Sequence, residues 1–141
     1  MRTPDVNVLL YAVNRDCSQH ASAKAWMAES FARPQGVGFA WIAVLGFLRI
    51  ATRTGIFAKP LHVEEALAVV DVWLSQPGAS ILNPGERHAG ILARLLMGAG
   101  SAGNLVTDAH LAALAKEHSA ELGSFDRDFE RFSGLRYQLL S

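Results

Sequence analysis

The chain has 141 residues, half of them apolar and 18% charged, which is enough for one well-filled core and predicts a single domain over 1–141. Its 13 basic and 13 acidic residues cancel to a formal net charge of zero, so it lacks the overall field of strongly basic nucleic-acid binders and any such contact must use a local patch. No window reaches the roughly 18 to 20 apolar residues of a membrane-spanning helix. Met1–Pro4 has no basic segment leading into a long apolar one, and the lone Cys17 has no partner for an internal disulfide; a soluble protein of a reducing cytoplasm is expected.

In chain order, Arg2 to Val6 is a short strand candidate. Asp5 and Asn7 supply a helix cap ahead of the apolar run Val8, Leu9, Leu10, Tyr11 and Val13, which places Asp5 at a strand-to-helix junction. Ser18 to Phe31 has helical spacing and stops before Pro34 and Gly36. Val37 to Ala40 reads as a strand, and Ile42 to Thr52 as a helix ending at Gly55. Leu61 to Ser75 predicts an amphipathic helix closed by Pro77 and Gly78, followed by a strand at Ala79 to Leu82 and a helix at Glu86 to Met97. The Gly98 to Gly103 run predicts a flexible turn before a helix over Asn104 to His118. A strand at Glu121 to Ser124, a loop carrying Asp126 and Asp128, and a last strand at Leu135 to Leu139 complete the chain. There is no internal repeat and no linker. Strands alternating with helices predict an α/β fold with a parallel sheet.

Open α/β sheets bind ligands beyond the carboxyl ends of their strands. Asp5 ends the first strand, Asp126 follows the fourth, and Asp108 sits in the first turn of a helix whose N-terminus points at the same edge, so the pattern gathers three acids on one rim. Crowded carboxylates repel one another, and a divalent cation with oxygen preference relieves that repulsion. Beside a phosphodiester such an ion supports hydrolysis. Each residue also has an ordinary reading: an Asp at a helix start caps it, and Asp126 to Asp128 has the form of a turn. The coincidence of all three favours the metal.

His110 and His118, two turns apart, lack a third ligand and are read as ordinary surface or core histidines. Trp26, Trp41 and Trp73 are read as core or subunit contacts. Ten of the thirteen basic residues are arginines, well suited to phosphate. Arg49 and Arg53 are either a solvated helix face or a phosphate-binding pair, and the sequence leaves both open.

The segments Asp5-Val-Asn-Val-Leu-Leu-Tyr-Ala, Phe-Leu-Arg-Ile-Ala-Thr at 47–52, Gly-Asn-Leu-Val-Thr-Asp-Ala-His-Leu-Ala-Ala-Leu-Ala at 103–115 and Ser-Phe-Asp-Arg-Asp-Phe at 124–129 span nearly the whole chain. In this order they resemble a PIN-domain ribonuclease of the VapC toxin type. The resemblance implies a PIN-like central parallel β-sheet flanked by α-helices in three layers, and Mg²⁺- or Mn²⁺-dependent endonucleolytic cleavage of RNA. It also implies a small VapB-type antitoxin that inserts into or covers the acidic groove, and homodimers. By position, Asp5 and Asp108 match the family's metal-ligating acids and Asp126 the acid after the fourth strand; Asp128, Asn104 and Asn7 are supporting candidates.

Two departures stand out. Val6 occupies the usual hydroxyl position of the first motif, and Gly46 or Phe47 stands where the family commonly carries a Glu. The competing readings are therefore a catalytically degenerate PIN domain that binds RNA or an antitoxin, and a phosphoacceptor domain with Asp5 as acceptor. The second would call for a positioned Lys late in the chain, where only the mid-helix Lys116 is found.

Overall fold

Three residues suffice for the first strand because it is gripped on both sides. Strand β1 (Arg2–Pro4) lies at the centre of a five-stranded parallel sheet of order β3-β2-β1-β4-β5, with β2 at Val37–Ala40, β3 at Ala79–Leu82, β4 at Glu121–Ser124 and β5 at Tyr137–Leu139. The computed structural model describes residues 1–100 and 102–141, with every side chain in them except that of Asn104. Arg2 pairs with Val37 on one side, while Arg2, Thr3 and Pro4 pair with Glu121, Leu122 and Gly123 on the other. The Arg2 amide donates toward β2, to Gly36 O, and the Asp5 amide toward β4, to Gly123 O. By alternation the ring nitrogen of Pro4 faces β2, where the ladder has already parted, so its missing donor costs no hydrogen bond.

The remaining elements are helices α1 (Val6–Val13), α2 (His20–Ala32), α3 (Trp41–Ala51), α4 (Val63–Leu74), α5 (His88–Ala99) and α6 (Val106–Glu117). Strand side chains alternate between the two faces. Val37, Phe39, Ala79 and Ile81 join the cluster built by α1 to α4, whereas Ala40, Leu82 and Leu122 join the one built by α5 and α6. Both faces are thus covered, giving the three-layer arrangement in which short parallel strands read as continuous apolar runs.

Differences from the sequence reading are local. Helix α2 begins at His20, two residues late, after the turn Asn14 to Gln19. The expected loop after β4 winds into a 3₁₀ turn, Arg127–Arg131, because the Asp126 carboxylate accepts from the Asp128 amide. Helix α5 continues to Ala99 and ends at Gly100 in the left-handed region (φ 69°), which glycine adopts without Cβ strain; Ser101, within the expected Gly98–Gly103 turn, lies outside the described residues. Trp26 is core, Trp73 stacks on Phe39 and meets Phe47 edge-on, and Trp41 is 46% exposed. Among the described residues no helix is long and apolar enough to cross a membrane.

Candidate active site

Strand order reverses at β1: β2 and β3 extend the sheet one way, β4 and β5 the other. A crevice therefore opens beyond the carboxyl ends of β1 and β4, because the connections leaving these neighbours turn to opposite faces. The residue after β1 is Asp5 and the last residue of β4 is Ser124, with Asp126 two residues on; α6 presents Asp108 in its first turn.

Asp5 caps α1, with Oδ1 accepting from the Val6 amide at 2.7 Å. Its other oxygen accepts from the Ser124 hydroxyl, also at 2.7 Å. That hydroxyl in turn accepts from Asn7 Nδ2 at 3.1 Å and from the Asp126 amide at 3.0 Å. Asn7 Oδ1 accepts from the Phe125 amide at 3.2 Å, fastening α1 to the chain leaving β4. The fully buried Ser124 is thus the hub joining Asp5, Asn7 and Asp126. Sequence reasoning gave it no role, although it stands in the Ser-Phe-Asp-Arg-Asp segment; the signal was a hydroxyl closing an otherwise buried strand.

Oxygen atoms of Asp108, Asp126 and Asp128 all lie within 4.8 Å of one another. Asp5 lies outside this trio but lines one pocket with Asp108. Burial and then repulsion from Asp5, Asp126 and Asp128 push the Asp108 carboxyl up to about 6. Burial also raises Asp5, as does Asp126 more weakly, against the hydrogen bonds from Ser124 and Val6 that favour its charged form. These donors are hard carboxylate oxygens, close together and short of positive charge, and they fit a divalent cation of the oxygen-preferring kind.

The pocket between Asp5 and Asp108 is walled opposite by α3, through Ile42, Ala43, Gly46 and Arg49. This resolves which residue stands at the position of the absent Glu. Phe47 is fully buried in the core against Trp73, whereas Gly46 faces the acids, and a Cβ there would come within 2.9 Å of Val6 Cγ2. Arg49 is exposed and shares the pocket. Arg53 lies past the end of α3 and does not line it. The side chain of Asn104 lies outside the described residues. His110 and His118 are not brought together: Nδ1 of His110 meets His88 Nε2 at 3.0 Å, and Nε2 of His118 meets Asn83 O at 2.8 Å.

The profile of the PIN domain matches residues 3–135, and the chain belongs to the PIN-domain family. Among curated proteins it is 48% identical over 137 residues to Ribonuclease VapC37 of Mycobacterium tuberculosis, covering 97% of this chain and 95% of that protein. It is 43% identical to Ribonuclease VapC33 of the same species, covering 97% and 96%. The fold matches that in the crystal structure of VapBC2 from Rickettsia felis bound to a DNA fragment from its promoter, with TM-score 0.73, 18% identity and coverage of 99% and 98%. It also matches Mycobacterium tuberculosis VapC20, described as a sarcin-ricin loop cleaving toxin, with TM-score 0.68, 16% identity and coverage of 96% and 99%.

Proposed function

We propose that this protein is the toxin of a type II toxin–antitoxin pair and a divalent-metal-dependent endoribonuclease that hydrolyses RNA phosphodiester bonds, using Asp5, Asp108 and Asp126 as its catalytic acids. The observation that carries the reading is the convergence of these acids at the crevice beyond β1 and β4, in a chain whose close relatives are VapC ribonucleases. Asp5 and Asp108 hold the ion, Mg²⁺ or, in its place, Mn²⁺. Bound there, the ion supplies positive charge to the phosphoryl oxygens and lowers the pKa of water.

The protein's own groups do the rest. Ser124 and the Val6 amide donate to the two oxygens of Asp5, favouring its charged form against the pull of burial and fixing its carboxylate at the pocket. Asp126 completes the acidic rim, and Asp128, whose amide bonds to Asp126, adds a further carboxylate to it. Asn7 locks α1 to β4, holding the rim's two halves in register. Asn104 is a further supporting candidate, from its place in the motif. Arg49 contacts a substrate phosphate from the α3 wall, and Arg53 is assigned to more distant RNA.

The partner is a VapB-type antitoxin, in keeping with solved complexes of the same fold. The protein acts in the cytoplasm as a homodimer of one-domain chains. The exposed Val63, Leu67 and Val72 of α4 offer apolar surface for a subunit contact.

Cleavage of a mixed RNA pool with Mg²⁺, Mn²⁺ or EDTA tests the reading, comparing the protein with Asp5→Ala and Asp108→Ala. Discrete metal-dependent cuts lost in both variants support it. The second reading, a degenerate PIN domain that binds without cutting, is favoured by Gly46, which leaves the α3 wall one acid short. Wild type that binds RNA or an antitoxin but cuts nothing establishes it.

A further inference from the structure

At the edge of the sheet opposite the acids, three surface grooves join end to end. The first is lined by Met1, Arg33, Gln35 and Arg136, the second by Arg136, Ser119, Gly134 and Lys116, and the third by Lys116, Ser133 and Arg94. Arg136 and Lys116 are each shared between two grooves. Together the linings hold four side-chain cations and no acid. None of the four makes an ion pair among the described residues.

Two of these cations are fixed in place by backbone. Lys116 Nζ donates to Ser133 O at 3.0 Å, and Arg136 Nη1 donates to Ser119 O at 3.1 Å. Gly134 has φ 77°, and a Cβ there would lie 2.9 Å from Lys116 Nζ, so glycine both makes the turn and leaves room for the lysine to cross it. Each cation still has donors to spare. Arg33 and Arg94 are exposed at the two ends. The Met1 ammonium lies in the first groove, its pKa lowered by burial and then by Arg136 and Arg33.

We infer that this row, Arg33–Arg136–Lys116–Arg94, is a second binding site that tracks the phosphate backbone of single-stranded RNA away from the cut. It rests on the proposed ribonuclease reading for the identity of its ligand. Asp108 lies in the first turn of α6 and Lys116 in its last turn, so cleavage site and track are separated by about 12 Å of helix. A polyanion suits the row because a line of cations, the middle two held by backbone carbonyls, gains by releasing counterions along its whole length, whereas a small anion would use one groove only.

The test is fluorescence anisotropy of labelled 30-nucleotide and 6-nucleotide RNAs in EDTA over a range of salt, with the protein, Arg33→Glu/Arg94→Glu and Lys116→Gln. The two arginines make no side-chain bonds among the described residues, so the double variant should fold as the wild type does, with circular dichroism as the check. For the 30-mer we expect binding by the double variant to fall about tenfold or more and the log–log salt slope to drop by about 1.4, two contacts at about 0.7 each. Lys116→Gln lowers the slope by about half as much, and the 6-mer changes little. Unchanged 30-mer binding and slope in the double variant overturn the track, as does an equal loss for both RNAs. Failure of the underlying reading shows separately: a wild type that cuts no RNA while its track variants still lose 30-mer binding removes the nuclease and keeps the track.

Discussion

At the carboxyl ends of the strands, Asp5 is 7% exposed and Asp108, Asp126 and Asp128 are pressed together; at the amino ends, Arg33, Arg94 and Arg136 stand in water. A net charge of zero conceals this segregation. Asp5 and Asp126 are held by a hydrogen-bond network through Ser124, and the four acids together store repulsion that a bound cation releases. Of the cations only Lys116 and Arg136 are held, each by one backbone carbonyl, and the row stores little. Substitutions at the first edge should therefore change chemistry and stability together, and those at the second should change only how RNA is held.

The largest expected effect is on chemistry. Asp5→Asn or Asp108→Asn should lower metal-dependent RNA cleavage by at least about a hundredfold with the fold retained, measured by single-turnover cleavage beside circular dichroism. The track variants should leave cleavage of short RNA within about threefold. An Asp5→Asn protein as active as wild type would erase the contrast.

Ser124→Ala should cost about 10- to 100-fold in kcat/KM. Its hydrogen bond holds the Asp5 pKa down, so its loss raises that pKa further and moves the acid limb of the pH profile upward. A lower rate with an unmoved limb would make Ser124 a packing residue only.

Gly123→Ala lies between the two edges. A Cβ there falls 2.3 Å from the Trp26 ring, which is buried and tied to Gln138 by a 2.8 Å hydrogen bond. Overpacking of this kind costs about 1–3 kcal/mol. Thermal unfolding should show a Tm lower by roughly 3–10 °C.

The smallest stability effect follows from the raised acids. A carboxyl whose folded pKa lies above its unfolded value loses stability as pH rises from the unfolded value through the folded one. For Asp108, raised from its ordinary value of 3.8 to about 6, that window runs from about pH 4 to pH 6, and Asp5 acts in the same direction. With Asp108 partly exposed, solvent screening leaves roughly 1 kcal/mol. Metal-free protein should melt a few degrees lower at pH 7 than at pH 5. Divalent metal should remove the drop and Asp108→Asn should shrink it, leaving the share of Asp5, and a Tm that rises with pH in metal-free buffer would contradict the crowding.

Much of this arrangement was legible in the sequence, for identifiable reasons. Asp5 announces itself as a cap because the apolar run begins three residues later, and Asp108 falls in the first turn of the helix that follows the glycine-rich turn. Alternating elements fix the parallel sheet, and parallel strands bring all their carboxyl ends to one edge. The Ser124 hub was hidden because its partners are distant in sequence and a serine closing a strand has no periodic signature. Position 46 was hidden because adjacent helix positions differ by about 100° in direction, so only packing decides that Phe47 turns inward and Gly46 toward the acids. The row of cations is invisible too: Arg33, Arg94, Lys116 and Arg136 come from four separate segments and align only through β-sheet order.

The Ser124 to Asp5 hydrogen bond spans 119 residues of chain. A ribosome that has made the first hundred residues has produced Asp5 but none of Asp108, Ser124, Asp126 or Asp128. Until β4 slots beside β1, the growing polypeptide cannot assemble the acidic crevice, and a register slip of one residue would turn Ser124 to the opposite face. On the proposed assignment of the acids, a chain released before β4 is in place lacks the crevice that cleavage needs, and the interval in which an inhibitor must be ready begins only when synthesis is almost done.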